Sequence, residues 1–363
     1  MRICKLCEIA NFKTGKLNSN ASKNEGRYPF FTCAPEPLKI DTYAFDTKAI
    51  ILAGNNAEGN FHIQYFEGKF NAYQRTYVIE TIDDTIVDIR YLFYALKMCL
   101  KHFKLISQGT ATKFLTAKIL NAFELPIPEI DLQQKLVSLL AAIDDKIEEN
   151  QKINENLEQQ AQVLFKSWFV DFEPFSNQKP SGWSVSTLDN VSIMGAGGDK
   201  PQDVSPIKSN LCQYPVYSNG LRDEGLYGFT DKPKIFKESV TVSARGTIGF
   251  VCLRHIPYVP IVRLITLIPK TEIISAKYLY LWLKQLRITG TGTTQQQLTV
   301  PDFRKTEILV PTQEIVTLFT ATVEPIFEKI WANQIENEKL SSLRDTLLPK
   351  LMSGEIDVAD IQI

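Results

Sequence analysis

The chain has 363 residues, 44% hydrophobic and 22% charged, an ordinary globular composition with enough apolar residues for two cores. Its formal net charge of −1 argues against a uniformly basic surface, and no apolar run reaches the roughly eighteen residues of a membrane span. The opening residues, MRICKLCEIANFKTGK, hold no apolar signal region, so secretion is not expected, and the six scattered cysteines read as reduced thiols of a cytoplasmic protein.

The charge alternates along the chain. Residues 1–130 are net +3, residues 131–175 net −5, residues 176–311 net +6 and residues 312–363 net −5. These four segments are also the expected domains: a mixed α/β segment, a long helix, a second mixed α/β segment, and a second long helix with a tail. Local basic surfaces can hold phosphates even when the whole chain is neutral.

In residues 1–130, Cys4-Lys5-Leu6-Cys7 is a lone CxxC. Zinc would need a second pair or suitably placed histidines, and His62, His102 and His255 are isolated, so structural thiols are expected. Asp46 with Glu67-Gly68-Lys69 fits the loose spacing of a nuclease metal site, a pattern common by chance and without a counterpart later in the chain. Ala49–Ala53 reads as a strand followed by a tight turn, and Tyr91–Lys101 as a short amphipathic helix. Polar side chains on loops are the type that reaches base edges and phosphates. Asn55, Asn56, Gln74, Arg75, Thr110, Thr112 and Lys113 are the candidates here, and each also fits an ordinary surface turn.

Residues 131–175 hold the most informative pattern. Positions 136, 140, 143, 147, 150, 154, 157, 161, 164 and 168 alternate steps of four and three, the seam of a coiled coil. Asn150 and Asn154 sit in it. The helix stops near Asp171-Phe172-Glu173-Pro174, and the polar stretch Ser176–Gly182 links to the next segment.

Residues 176–311 repeat the first segment. Adding 183 carries Leu115-Thr116 onto Leu298-Thr299 and Pro128 onto Pro311, and Tyr28-Pro29 matches Tyr214-Pro215 at a slightly drifted offset. Gly195-Ala196-Gly197-Gly198-Asp199-Lys200 lacks Walker spacing and reads as a flexible loop. Ser239–Ser243 reads as a strand and Lys277–Leu286 as a helix. Candidates for nucleic-acid contact are Ser218, Asn219, Arg222, Arg245, Thr247, Thr293, Thr294, Gln295 and Gln296. Residues 312–363 then repeat the seam in the same frame, with Asn333 and Asn337 falling on Asn150 and Asn154. The two helices are expected to pack antiparallel, with the Asn pairs fixing register, although each seam could instead pack on its own domain. Pro349 is expected to kink the second helix, which ends near Gly354.

The chain resembles the specificity subunit of type I restriction–modification systems. The resemblance rests on LFKSWFVDFEP (Leu164–Pro174) after the first helix, LLPKLMSGEI (Leu347–Ile356) after the second, the Ser243–Gly249 turn, the Gly292–Thr299 segment, and the domain–helix–domain–helix order. It implies an α+β fold: two tandem mixed α/β target recognition domains, each followed by a long helix, with the helices paired as an antiparallel coiled coil of pseudo-two-fold symmetry. It further implies recognition of a split, asymmetric site in double-stranded DNA, and partners in two modification subunits and two ATP-driven restriction subunits. S-adenosylmethionine, ATP and Mg are expected on those partners, with no cofactor or metal in this chain. One departure stands out: the first-half turn Leu52–Gly59 lacks the Arg of Ser243–Gly249. Two other readings stay open, a self-contained nuclease or methyltransferase, for which no catalytic cluster is found, and an adaptor that binds only protein.

Overall fold

The computed structural model describes residues 2–23, 25–290 and 297–358. The chain divides into two compact units, residues 1–150 with 335–363 and residues 151–334. The division falls inside both long helices, Ile130–Phe169 and Gln313–Ser353, so each unit holds one recognition segment and part of each helix.

The first unit is built on a six-stranded sheet in the order Ala10–Thr14, Thr76–Thr81, Phe45–Ala53, Ile63–Ala72, Tyr28–Phe31, Leu38–Ile40. Neighbours are antiparallel except Tyr28–Phe31 against Ile63–Ala72. Ala49–Ala53 is a continuous apolar run because both faces of the central strand are covered. Ile50 and Leu52 enter the main core, while Ala49 and Ile51 pack with Phe31, Phe70 and Val78 on the other side. The helix Ile89–Met98 starts where the Asp88 carboxylate caps the backbone N–H groups of Arg90 and Tyr91. It buries Tyr91, Leu92, Ala95 and Leu96 against the sheet. Leu136 and Leu140 from the first long helix and Leu348 and Leu351 from the second complete that core.

The second unit repeats this plan. An antiparallel pair, Ser184–Thr187 with Glu307–Val310, matches Arg2–Lys5 with Glu124–Ile127 in the first unit. Thr299 caps Val300–Phe303 as Thr116 caps Ala117–Asn121, so the Leu-Thr pair that anchors the sequence repeat is a helix N-cap in both copies. The sheet differs. The counterpart of Ile63–Ala72 is broken into Val251–Arg254 and Val259–Pro260, leaving a four-stranded and a three-stranded sheet. Pro257 lies in the gap, and a residue without an N–H cannot carry the ladder through it. The core joins Val240, Val242, Ile265, Leu267 and Tyr278 to Phe165 and Phe169 of the first long helix and Phe319, Val323 and Phe327 of the second.

Within each unit the two long helices run antiparallel as a coiled coil. In the first, Asn150 Nδ2 donates to Asn337 Oδ1 at 2.9 Å and to Glu336 Oε2 at 2.8 Å. In the second, Asn333 Nδ2 donates to Asn154 Oδ1 at 2.8 Å, and Asn154 Nδ2 donates to the Ile330 carbonyl at 3.3 Å. Asn150 and Asn333 are each 1% exposed. The second helix runs unbroken through Pro325 and Pro349, and Gly354, at φ 76°, follows its last turn. No helix among the described residues is long and apolar enough to cross a membrane.

Charged groups fasten each recognition segment to the helices of its own unit. In the first, Arg90 pairs with Asp145 at 2.9 Å, and Asp144 accepts from Tyr94 Oη at 2.6 Å and from Arg344 at 2.8 Å. In the second, Lys277, its side chain 5% exposed, lies 2.8 Å from Glu238 and 3.0 Å from Glu324, and Glu158 accepts from Tyr280 Oη at 2.6 Å and from Lys284 at 2.9 Å.

Two stability predictions follow from these contacts. Asn333→Leu leaves Asn154 Oδ1 without its donor and lowers stability by about 1–3 kcal/mol, whereas the double change Asn154→Leu/Asn333→Leu recovers most of the loss, as read by a denaturant double-mutant cycle. Lys277→Ala leaves two part-exposed carboxylates without their cation and removes a buried side-chain stem, at a cost of about 1–3 kcal/mol, while Lys277→Met, which retains the packing, costs less in the same assay.

Candidate nucleic-acid interface

In the first unit one glycine gathers several of the candidates. Gly54 N donates to the Arg75 carbonyl at 2.8 Å, and Gly54 O accepts from Leu115 N at 2.9 Å. A Cβ at Gly54 would lie 2.4 Å from the Arg75 carbonyl oxygen, so only glycine lets these strands close. Just beyond it, Asn55–Asn56 pairs antiparallel with Lys113–Phe114. Asn55, Asn56, Arg75 and Lys113 therefore come to one edge, where the Arg75 guanidinium lies 5.2 Å over the Phe114 ring. Asn56 spends its Oδ1 on the N–H groups of Glu58 and Asn60, whereas Asn55 Oδ1 is buried with no partner among the described residues. Gln74 is exposed and donates to Asn18 Oδ1 at 2.9 Å. Thr110 and Thr112 lie on the turn closed by the Gln108–Phe114 bridge.

In the second unit Ala244 takes the place of Gly54: Leu298 N donates to Ala244 O at 3.0 Å, as Leu115 N does to Gly54 O. Arg245 thus stands where the first unit has Asn55. It is exposed, reaches Gln297 Oε1 at 3.2 Å, and precedes Gly246 at φ 69°. Thr247 is exposed on the same turn. Ser218 N donates to Gly225 O at 2.8 Å, closing the loop that carries Arg222, which is exposed beside Asp223 at 3.4 Å. Both ends of the Asn219 amide are engaged by backbone: Oδ1 accepts from Ala244 N at 2.7 Å and Nδ2 donates to Val262 O at 2.7 Å. Thr293, Thr294, Gln295 and Gln296 lie outside the described residues.

Sequence reasoning passed over Arg254. Its side chain is 4% exposed and stacks 3.7 Å from the centroid of Tyr217. Nε donates to Thr241 Oγ1 at 3.0 Å, and the two terminal nitrogens donate to Glu224 Oε2 at 2.8 Å and Glu224 O at 2.6 Å. It therefore holds the Ser218–Gly225 loop from below, across Asp223 and Glu224 at φ 47° and 53°. Burial pushes the Tyr217 phenol above its usual range, so that ring stays neutral beneath the cation. No signal of spacing or residue type pointed to Arg254, because its partners lie 13 and 30 residues away in sequence.

Other motifs have structural settings. The Gly-rich stretch backs the Ile261–Arg263 turn: a Cβ at Gly197 would lie 2.7 Å from Ile261 N. All six cysteines are free, with Cys4 buried and Cys7 exposed. Burial pushes the Cys252 thiol up to about 12. Glu67 pairs with Lys48 at 3.6 Å and Lys69 lies over the Tyr43 ring. Among the described residues no group of three His, Cys, Asp or Glu side chains could hold a metal ion.

Comparison with known proteins agrees with this duplicated plan. The family described as type I restriction modification DNA specificity domain matches residues 1–159 and again residues 180–340. The chain is 29% identical over 317 residues to the type I restriction enzyme MjaIX specificity subunit of Methanocaldococcus jannaschii, covering 77% of this chain and 71% of that one. It is 27% identical over 405 residues to the EcoDI specificity subunit of Escherichia coli, covering 97% and 87%. The crystal structure of a type I restriction–modification S subunit from M. genitalium shares the fold, with a TM-score of 0.58 at 18% identity over 96% of this chain and 95% of that one. The chain therefore belongs to the type I restriction–modification specificity family, whose members are recognition subunits and not catalysts.

Proposed function

We propose that this chain is a cytoplasmic DNA-recognition subunit that reads a bipartite, asymmetric duplex site, one half with each unit. In this reading it directs two modification subunits to methylate adenine and two restriction subunits to cleave. S-adenosylmethionine, ATP and Mg belong to those partners, which supply the chemistry.

The observation that supports the split, asymmetric site is that one framework presents different chemistry in its two copies. The Gly54 and Ala244 carbonyls accept the same backbone bond, from Leu115 N and Leu298 N, yet Asn55 stands at one edge and Arg245 at the other. An Arg fork suits the two acceptors of guanine, a pairing that Asn55, with its Oδ1 buried, does not offer. Two like frames with unlike side chains suit two half-sites of different sequence.

The reading is tested by expressing the chain with and without its modification subunit and mapping methyladenine by single-molecule sequencing. A split, asymmetric motif is expected only when both are present; an active complex that marks no new motif overturns the proposal. In the same assay, one heptad inserted in each helix, after Asn150 and after Gln334, lengthens the gap between half-sites. Seven helical residues add roughly 10 Å, about three base pairs. An unchanged gap sinks the role of the helices as spacers.

A further inference from the structure

Two consecutive non-glycine residues of the second unit, Val262 and Arg263, have positive φ, 51° and 62°. A β-branched residue is rarely found there, because its Cβ crowds the following carbonyl. Surrounding backbone holds the turn in place. Val262 N donates to Gly198 O and Arg263 N to Gly197 O, both at 2.8 Å, and Leu264 N closes onto Ile261 O at 3.0 Å. Asn219 Nδ2 takes the Val262 carbonyl, while its Oδ1 takes Ala244 N, the residue before Arg245. A single amide thus fixes two arginine-bearing turns. Val262 is 51% exposed, Arg263 is exposed, and the Arg263 guanidinium has no partner among the described residues.

The first unit contains a turn at the equivalent position, closed by matching backbone bonds but without positive φ at Gln74 or Arg75. Tyr73 N donates to Phe31 O as Ile261 N does to Tyr217 O. Gln74 N donates to Leu17 O as Val262 N does to Gly198 O, and Thr76 N closes onto Tyr73 O as Leu264 N does onto Ile261 O. These matches place Arg75 on Arg263. Around the pair the residues have diverged: Gln74 corresponds to Val262, and Cys33, which reaches the Arg75 carbonyl at 3.4 Å, corresponds to Asn219. An exposed arginine thus stands at the tip of both copies while its neighbours change; Arg75 packs over Phe114, whereas nothing among the described residues holds the Arg263 guanidinium.

We propose that Arg263 contacts the DNA duplex in the second unit as Arg75 does in the first, and that Asn219 is the positioning residue that holds Arg263 and Arg245 in place for it. The guanidinium supplies a fixed fork of donors that fits phosphate oxygens or a guanine edge. The inference rests on the recognition reading above.

The test measures binding of the intact chain, purified with its modification subunit, to a duplex carrying the mapped site over a range of salt. Arg263→Ala is expected to weaken binding roughly tenfold and to lower the salt slope by about one, and Arg75→Ala to do the same. Asn219→Ala weakens binding comparably, and Asn219→Ala/Val262→Gly restores most of it, because glycine adopts positive φ without the clamp. Rescue by Val262→Gly separates positioning from a general loss of fold. Unchanged binding by Arg263→Ala, or a double variant no better than Asn219→Ala, overturns the proposal. A wild-type complex that shows no sequence-dependent binding overturns the recognition reading itself.

Discussion

The antiparallel pairing of two helices far apart in sequence is the constraint on which the rest depends. Neither core closes without it: Leu348 and Leu351 enter a core built mostly from the first 140 residues, and Phe165 and Phe169 enter one built mostly after residue 183. Each unit is therefore discontinuous in sequence, and each needs the helices in one register. Aliphatic seams alone tolerate a slip, because one Leu replaces another. A slip of the Asn seam sets a buried amide against an aliphatic side chain, at a cost of about 1–3 kcal/mol for each group left unsatisfied. Asn150 with Asn337 and Asn154 with Asn333 supply that discrimination, one pair to each unit.

Upon that frame the two copies have diverged unevenly. Buried and capping groups persist: Thr116 and Thr299 cap equivalent helices, and the Tyr91 and Tyr278 hydroxyls donate to the carbonyls of Pro126 and Leu309. These groups answer to unsatisfied backbone, a demand that is the same in both copies. At the edge the demand comes from whatever is bound, and there Asn55 has become Arg245 and Gln74 has become Val262. Apart from the break in the second sheet, divergence at the exposed edge over shared caps and core contacts fits a scaffold whose ligand differs between copies.

Much of this was legible in the sequence because it is carried by local or periodic signals. The seam, its paired asparagines and the Leu-Thr caps repeat at one offset and needed no coordinates. The pieces that were not legible are those whose role is set by distant partners. Arg254 reads as a surface cation until Tyr217, Thr241 and Glu224 surround it. Asn219 has the right chemistry for a base reader, but sequence cannot show that backbone engages both ends of its amide. Arg263 was missed because Val262 beside it gives no turn signal; its left-handed turn is imposed by Gly197, Gly198 and Asn219. The break in the second sheet was in principle readable from Pro257, since a residue without an N–H cannot sit in a continuous ladder.

The alternating charge acquires a structural meaning from the same contacts. The basic excess of the recognition segments is not all available to a ligand. Arg90, Lys277 and Lys284 are engaged with Asp145, Glu238, Glu324 and Glu158, partly neutralising the acidic helices. Arg254 is engaged with Glu224. The net charge of each segment thus overstates its pull on phosphate in general, and the exposed cations at the edge carry more of the attraction than their number suggests. On the proposed reading this favours selectivity over affinity. A fully basic surface would hold any duplex through counterion release, whereas a few arginines on fixed turns, on a chain of net charge −1, bind well only where base edges and backbone both meet them.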